Sequence, residues 1–351
     1  MRRVTVFGVT PGMRLARSIR GSKGEMLLAA GMNLSETHLR ILRDRGVFLL
    51  DVEDGLTDDI EIEETIPEDL RQRGVKAVQN VHTLLAQAAE NMDSSTEESL
   101  RNSLQTASFA RSTKDQSTVH ALADAAIAIV DNILNSEAVL GLSSIRLYDQ
   151  YTFQHSVSTA VAGVVIGRNL GWQRQQLCDL ATGCLMHDIG KIFIDREVLN
   201  KPGRLTEDET RIVQEHAKLG YETVRQIFGP GMLSNHVPYQ HHERQDGTGY
   251  PRGLSGDNHI PNPWLRTGPD QILAMAQVAS VADVYDALNS DRPYRPAVAP
   301  DQLIKLLNDM SGTYLNQALV ERFLAIISPF PTGSEVVLRG NADVNGCKGV
   351  V

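Results

Sequence analysis

The stretch HHERQDGTGYPRG, residues 241–253, places two adjacent histidines directly before a glycine-rich loop. Three glycines, a tyrosine and a proline follow within eleven residues. Imidazole is a common metal ligand at neutral pH, and glycine allows a backbone to approach a ligand closely. Taken alone, the stretch is typical of an ordinary surface loop, so its interpretation depends on the rest of the chain.

Composition limits the class of protein. The chain has 351 residues, of which 42% are hydrophobic and 22% are charged, as in globular proteins of one or two domains. A net charge of −9 argues against binding to nucleic-acid polymers, which requires a basic surface. Three cysteines, Cys178, Cys184 and Cys347, form no C-x-x-C pair and fit a reducing compartment. The longest mostly apolar run, residues 157–166, is too short to cross a bilayer, so we predict a cytoplasmic protein without membrane insertion.

Four segments are predicted along the chain. Residues 1–66 form a small α+β domain that ends in an acidic linker, because residues 51–64 hold eight acidic side chains and no basic one. Residues 67–148 carry helical patterning and are predicted to be a helical connector, suited to dimerisation or to plain packing. Residues 149–330 form a helical body, and residues 331–351 form a β-like tail. The predicted fold class is therefore mainly α.

Histidine and aspartate recur where the sequence is most apolar. Seven of the ten histidines lie between positions 155 and 259. In LMHDIGK, His187 and Asp188 follow an apolar helical run, and in VASVADVYDAL Asp283 lies among valines and alanines. A buried carboxylate beside a buried imidazole is costly unless a metal or a partner compensates it. Imidazoles and carboxylates suit zinc, iron, manganese or nickel, and a carboxylate such as Asp188 can bridge two ions.

Lys191 has two interpretations. It follows His187 by four residues and Asp188 by three, so a helical turn would place all three side chains on one face. A cation there would meet a phosphate oxygen. The alternative is a lysine at a helix C terminus, where the helix dipole favours it.

Six ordered blocks resemble a known family. YTFQHS, HDIGKI, LNKPGRLT, EHAKLG, HHERQDGTGYPRGL and VADVYDALNSDRPYR, which span about half of the chain, resemble the HD-GYP domain. This domain is a branch of the HD phosphohydrolase superfamily that hydrolyses cyclic di-GMP. The first 50 residues are similar to a small domain often found ahead of HD-GYP modules. The resemblance implies an all-helical HD-type bundle around a metal centre.

The resemblance also implies roles for individual residues. The implied metal ligands are His155, His187, Asp188, His216, His241, His242 and Asp283. His187, Asp188 and Lys191 are the implied catalytic residues, and Lys191 would hold the scissile phosphate. The implied substrate contacts are Lys191, Gly249, Tyr250, Pro251, Arg292 and Arg295. Some members with three metals carry glutamate four residues before the first histidine, where this chain has Tyr151, so two divalent ions, iron or manganese, are expected.

The implied activity is a metal-dependent phosphodiesterase that opens cyclic di-GMP to pGpG and cuts it further to GMP. Three alternatives stay open at this point. The same metal site would suit another cyclic dinucleotide, such as the GMP–AMP hybrid, or a nucleotide such as ppGpp, which the glycine-rich loop disfavours. The chain would also suit a non-catalytic receptor for cyclic di-GMP. The expected partners are the cyclic dinucleotide, a second copy bound through the connector, and a signalling protein.

Overall fold

The computed structural model describes residues 1–20, 26–44, 47, 49–53, 55, 64–90, 92, 97–106, 109–110, 113, 115–136, 140–141, 151–264, 268–289, 298, 300–328, 332–333, 335–337 and 347–351. Within these ranges the chain is mainly α-helical, and a small strand-containing unit precedes the helices. The predicted fold class is confirmed.

The N-terminal unit combines short strands with one helix. Its elements are β1 (Arg2–Thr5), β2 (Arg14–Leu15), β3 (Ile19–Arg20), β4 (Met26–Leu28), α1 (Glu36–Asp44) and β5 (Leu49–Glu53). Strand β5 lies between β1 and β2 and is antiparallel to both, while β3 pairs with β4. Ser35 Oγ accepts a hydrogen bond from the His38 N–H at 3.2 Å, so Ser35 caps α1. A separate hydrophobic core stabilises this unit.

The rest of the described chain is a helical body with two short strand pairs. The helices are α2 (Glu68–Ala89), α3 (Glu97–Leu104), α4 (Gln116–Leu134), α5 (Tyr151–Asn169), α6 (Arg174–Leu185), α7 (Arg196–Leu199), α8 (Glu207–Gln214), α9 (His216–Phe228), α10 (His236–Gln240), α11 (Ala274–Asn289), α12 (Pro300–Met310) and α13 (Gln317–Leu324). Two 3₁₀ helices span Ile189–Phe193 and Leu233–Asn235. The strands are β6 (Leu140–Gly141), β7 (Ile327–Ser328), β8 (Glu335–Val337) and β9 (Lys348–Val350), which pair as β6 with β7 and β8 with β9.

Helices α5, α6 and α11 form the centre of the body. Small residues allow α5 and α6 to approach each other: a Cβ on Gly163 would lie 3.3 Å from Cys184 Sγ. A Cβ on Gly167 would lie only 2.7 Å from Leu177 Cδ2. The close packing of α5 against α6 brings the first turns of α5 towards the C-terminal end of α6.

Helices α2 and α4 share this core. Val78 and Leu85 of α2 and Ile129 of α4 belong to the same buried hydrophobic cluster as Val157 and Val161 of α5. The described part of residues 67–148 therefore packs along the helical body and buries apolar surface there. The division of the chain into four segments stays a prediction.

Helix α4 is long and apolar enough to cross a membrane by length and composition, with 19 residues and a mean hydropathy of 1.3. Sequence analysis did not identify this helix as a candidate membrane span. Its buried side chains, among them Leu122, Ile129 and Ile133, lie in the main hydrophobic core. One face of α4 is therefore buried against the helical body. Cytoplasmic localisation and the absence of membrane insertion stay predictions.

The C-terminal hairpin contacts the N-terminal unit. Strands β8 and β9 are antiparallel, and the Arg3 N–H donates a hydrogen bond to the Gly333 carbonyl at 2.9 Å. Gly333 in turn donates to the Val351 carbonyl at 2.9 Å. The described ends of the chain thus lie together.

Candidate metal centre

The His-Asp pair lies where a helix ends. Helix α6 stops at Leu185, and the backbone turns at Met186 before the 3₁₀ helix Ile189–Phe193 begins. The predicted α-helical turn over these residues is therefore wrong. A 3₁₀ helix repeats every three residues, and this turn brings Lys191 Nζ to 2.6 Å from Asp188 Oδ2.

A close backbone contact brings a second element to this turn. A Cβ on Gly190 would lie 2.0 Å from the His216 carbonyl oxygen and 2.6 Å from the Gly220 N. Only glycine allows such an approach. The 3₁₀ helix therefore packs directly on the first turns of α9, which places His216 beside Asp188.

Two adjoining groups of side chains gather here. The first consists of Asp188, His216, His241 and His242, and the second of His155, His187 and Asp283. Within each group the candidate ligand atoms lie within 4.8 Å of one another. All seven side chains that the sequence predicts as metal ligands are thus brought together, from five separate parts of the body.

Asp188 connects the two groups. Its Oδ1 lies 3.6 Å from His216 Nε2 and 3.9 Å from His241 Nε2. Its Oδ2 lies 3.4 Å from His187 Nε2, in the other group. One carboxylate therefore faces both groups with different oxygens, as a carboxylate that bridges two ions can.

Three imidazoles turn the same nitrogen towards the centre. Each of His187, His216 and His241 has its Nδ1 at hydrogen-bond distance from a main-chain carbonyl. The acceptors are the carbonyl oxygens of Cys184 (2.7 Å), Val213 (2.6 Å) and Pro238 (3.0 Å), respectively. Their Nε2 atoms are buried and have no hydrogen-bond partner among the described residues. Such atoms are costly to bury unless a ligand binds them, and the geometry is that of metal-bound histidines.

The protonation states of His216, His242 and Asp188 suit a cation. Burial, reinforced by the nearby Lys191 charge, lowers the pKa of His216 to about 4. Burial and the neighbouring His216 lower the pKa of His242 to about 3. Although burial alone would raise it, the charge of the nearby Lys191 holds the pKa of Asp188 well below its usual range. At neutral pH these imidazoles are uncharged and this carboxylate is ionised, which is the form that binds metal.

Sequence analysis missed Asp286, which supports His155. Asp286 is buried, and its Oδ2 lies 2.7 Å from His155 Nδ1, while Asp283 Oδ1 lies 3.0 Å from His155 Nε2. Burial lowers the pKa of His155, but its hydrogen bonds to the two carboxylates outweigh burial and raise the pKa to about 9. The spacing of three residues on α11 was a signal, because it places both carboxylates on one helix face.

We expect Asp286→Asn to weaken metal binding by about 10- to 100-fold, because the carboxylate that orients His155 and increases its basicity is lost. Titration against a chelator of known affinity measures this change. Asp309→Asn, at an exposed position on α12, is the control and should bind metal as the parent protein does. Unchanged affinity in Asp286→Asn would show that His155 needs no carboxylate support.

The glycine-rich loop folds back over the adjacent histidines. Helix α10 ends at Gln240, so His241 and His242 lie in a turn. The Tyr250 ring stacks on the His242 ring with centroids 4.7 Å apart, and the Tyr250 N–H donates to the His242 carbonyl at 3.2 Å. A Cβ on Gly249 would lie 2.4 Å from the Arg244 N, so this position requires glycine.

Glu243, which sequence analysis also missed, holds the end of this loop. The side chain is buried, and its two carboxylate oxygens accept hydrogen bonds from the Arg252 and Leu254 N–H groups, both at 2.8 Å. Pro251, between Tyr250 and Arg252, follows a cis peptide bond. The loop is therefore anchored on both sides of Tyr250.

Two of the predicted substrate contacts, and the position that bears on a third ion, have side chains outside the described part of the structure. Arg292 and Arg295 lie in the undescribed residues 290–297. The backbone of Tyr151 belongs to α5, but its side chain is not described. The roles of these residues, and the choice between two ions and three, stay predictions.

Residues 130–319, more than half of the chain, match the family model described as HD domain. The chain belongs to the HD domain family. The chain is 31% identical over 202 residues to a cyclic di-GMP phosphodiesterase of Pseudomonas aeruginosa, an alignment that covers 58% of this chain and 45% of the relative. It is 34% identical over 166 residues to the 3′3′-cGAMP-specific phosphodiesterase 3 of Vibrio cholerae, which covers 47% of this chain and 33% of the relative. The chain spans less than half the length of these curated relatives.

Among solved structures, an HDG"Y"P protein from Bdellovibrio bacteriovorus aligns with 92% of this chain and 98% of its own, at 15% identity and a TM-score of 0.48. The resemblance found in the sequence is confirmed by the HD domain match and by relatives that carry cyclic dinucleotide phosphodiesterase names.

Proposed function

We propose that the chain is a metal-dependent phosphodiesterase that hydrolyses cyclic di-GMP. The observation that carries this proposal is the pair of adjoining histidine–aspartate groups connected by Asp188. The Lys191 ammonium lies beside them, and its side chain is about one-third exposed, so an incoming phosphate can reach it. The names of the relatives support a cyclic dinucleotide as the substrate class.

The side chains present fit two divalent ions. His216, His241 and His242 would hold one ion, His155, His187 and Asp283 would hold the other, and Asp188 would contribute to both. The orphaned Nε2 atoms support this assignment. Mixed imidazole and carboxylate ligands suit iron or manganese. When bound, such ions acidify water and neutralise charge on phosphoryl oxygens.

The chain's own residues have separate roles in this hydrolysis. Lys191 places a positive charge where charge develops on the phosphoryl oxygens in the transition state. The bond between phosphorus and the 3′ oxygen breaks, water supplies the new oxygen on phosphorus, and pGpG results. A second cut of the same kind gives GMP. Gly249, Tyr250 and Pro251 form the loop beside the centre and would line the nucleotide cleft.

An anaerobic assay tests the proposal. Protein loaded with iron or with manganese is incubated with cyclic di-GMP, its metal content is measured, and the nucleotides are separated by chromatography. We expect pGpG first and GMP later. No product with any metal, in protein with confirmed metal content, would contradict the proposed activity.

The hybrid cyclic GMP–AMP is the second candidate substrate, because one relative is named as specific for 3′3′-cGAMP. The same assay with both cyclic dinucleotides and with ppGpp ranks the candidates by kcat/KM. Dimerisation through residues 67–148 and a signalling protein partner stay predictions.

A further inference from the structure

A turn far along the chain lies against the glycine-rich loop. Residues 311–315, between α12 and α13, are held in a tight turn in which the Gly312 N–H donates to the Leu315 carbonyl at 2.8 Å. The Asp246 N–H donates to the Thr313 carbonyl at 3.0 Å. A backbone hydrogen bond therefore connects the turn to the loop, and Tyr314 is the residue directly after the acceptor Thr313.

Arg244 stacks on Tyr314. The guanidinium carbon of Arg244 lies 4.7 Å from the centre of the Tyr314 ring, a favourable cation–π distance. Both Arg244 Nε and Nη2 donate to the Asp246 carboxylate, at 3.2 Å and 2.9 Å, so the guanidinium plane is held in place. The Arg244 side chain is 33% exposed, which leaves it accessible to a ligand.

This pair borders the metal centre. Arg244 follows the candidate ligand His242 by two residues. In the same loop the Tyr250 ring stacks on the His242 ring with centroids 4.7 Å apart. A Cβ on the neighbouring Gly249 would lie 2.4 Å from the Arg244 N, so the loop that covers His242 also packs against Arg244.

We propose that Arg244 and Tyr314 bind a purine base of the cyclic dinucleotide by stacking, an inference that rests on the proposed function. When one phosphate of a cyclic dinucleotide lies at the metal centre, its bases lie outside the metal site. A planar side chain there can stack on a base. Aromatic rings and guanidinium planes stack with bases without requiring a particular base. The Arg244–Tyr314 stack is such a partner, held rigidly at the border of the centre.

Two variants and two substrates test this inference. Tyr314→Ala removes the ring, whereas Tyr314→Phe keeps it. Each variant is assayed with cyclic di-GMP and with bis(p-nitrophenyl) phosphate, a phosphodiester without a purine base, in metal-loaded protein of measured metal content. Phe7→Ala is the matched control. Phe7 is an exposed aromatic residue of the N-terminal unit, and it also has an arginine stacked on its ring. The Arg43 guanidinium carbon lies 5.3 Å from the centre of that ring.

We expect Tyr314→Ala to raise the KM for cyclic di-GMP about tenfold, as loss of one stacking contact does. Its kcat, its metal content and its hydrolysis of bis(p-nitrophenyl) phosphate should match the parent protein, and Tyr314→Phe and Phe7→Ala should match it throughout. Equal losses with both substrates, or no change with either, would overturn the inference while leaving the proposed function intact. Parent protein that hydrolyses bis(p-nitrophenyl) phosphate but no cyclic dinucleotide would overturn both.

Discussion

Replacement of Asp188 by asparagine is expected to remove bound metal and to lower kcat/KM for cyclic di-GMP by at least about a thousandfold, because two metal ions contribute several kcal/mol to the transition state. In the parent protein the two carboxylate oxygens face different histidine groups. An asparagine side chain has one acceptor oxygen, and its NH₂ group would point at an imidazole or at Lys191. Elemental analysis and a steady-state assay of the same preparation measure both effects.

Asp208→Asn serves as the control for this variant. Asp208 is an exposed aspartate on α8, and it also pairs with a basic residue three positions away, Arg211. Its metal content and activity should equal those of the parent protein. If Asp188→Asn keeps both metals and activity, the bridging role is wrong. Tight binding of cyclic di-GMP without turnover, unchanged by Asp188→Asn, would instead support the receptor alternative.

Replacement of Lys191 by methionine is expected to lower kcat by about 100- to 1000-fold, the usual effect of losing one group that stabilises transition-state charge. Methionine keeps much of the length of the lysine stem and removes the ammonium, which lies 2.6 Å from Asp188 Oδ2. Because Lys191 is a cation, it is not a ligand, so metal content should be retained. Pre-steady-state assays in metal-saturated protein separate the chemical step from substrate binding.

Lys218→Met provides a matched comparison. Lys218 also forms an ion pair with an acidic residue three positions earlier, at 2.6 Å from Glu215, and its side chain is similarly exposed at 29%. We expect this variant to keep the parent kcat. A Lys191→Met variant with an undiminished kcat, or one that loses its metal, would contradict the assignment of Lys191 to the phosphate.

The candidate ligands were readable from the sequence because their chemistry is local. His187 and Asp188 are adjacent, and their apolar context alone predicts that both are buried, as the structure shows. The short blocks around the other histidines are equally recognisable. Asp286, Glu243 and Tyr314 were missed because their roles depend on neighbours in space. Tyr314, for example, contacts a loop about 70 positions earlier in the chain.

The conformation of the His-Asp turn shows a second limit. Spacing predicted an α-helical turn, but the structure has a break at Met186 followed by a 3₁₀ helix. The close contact between Gly190 and the start of α9 accounts for the difference, because it is the 3₁₀ helix, and not a continuation of α6, that packs against α9. A contact between distant segments thus overrides local helical preference.

By itself the sequence determined the candidate metal ligands that the structure brings together, the mainly helical class of the fold and the HD domain resemblance, because ligand types, apolar patterning and short motifs are properties of neighbouring residues. Tertiary structure alone decided that the two oxygens of Asp188 face different histidine groups. It also decided that α2 and α4 share the core of the body and that Arg244 meets Tyr314. These relations are distances between residues far apart in the chain, and only the packing of the helices determines such distances.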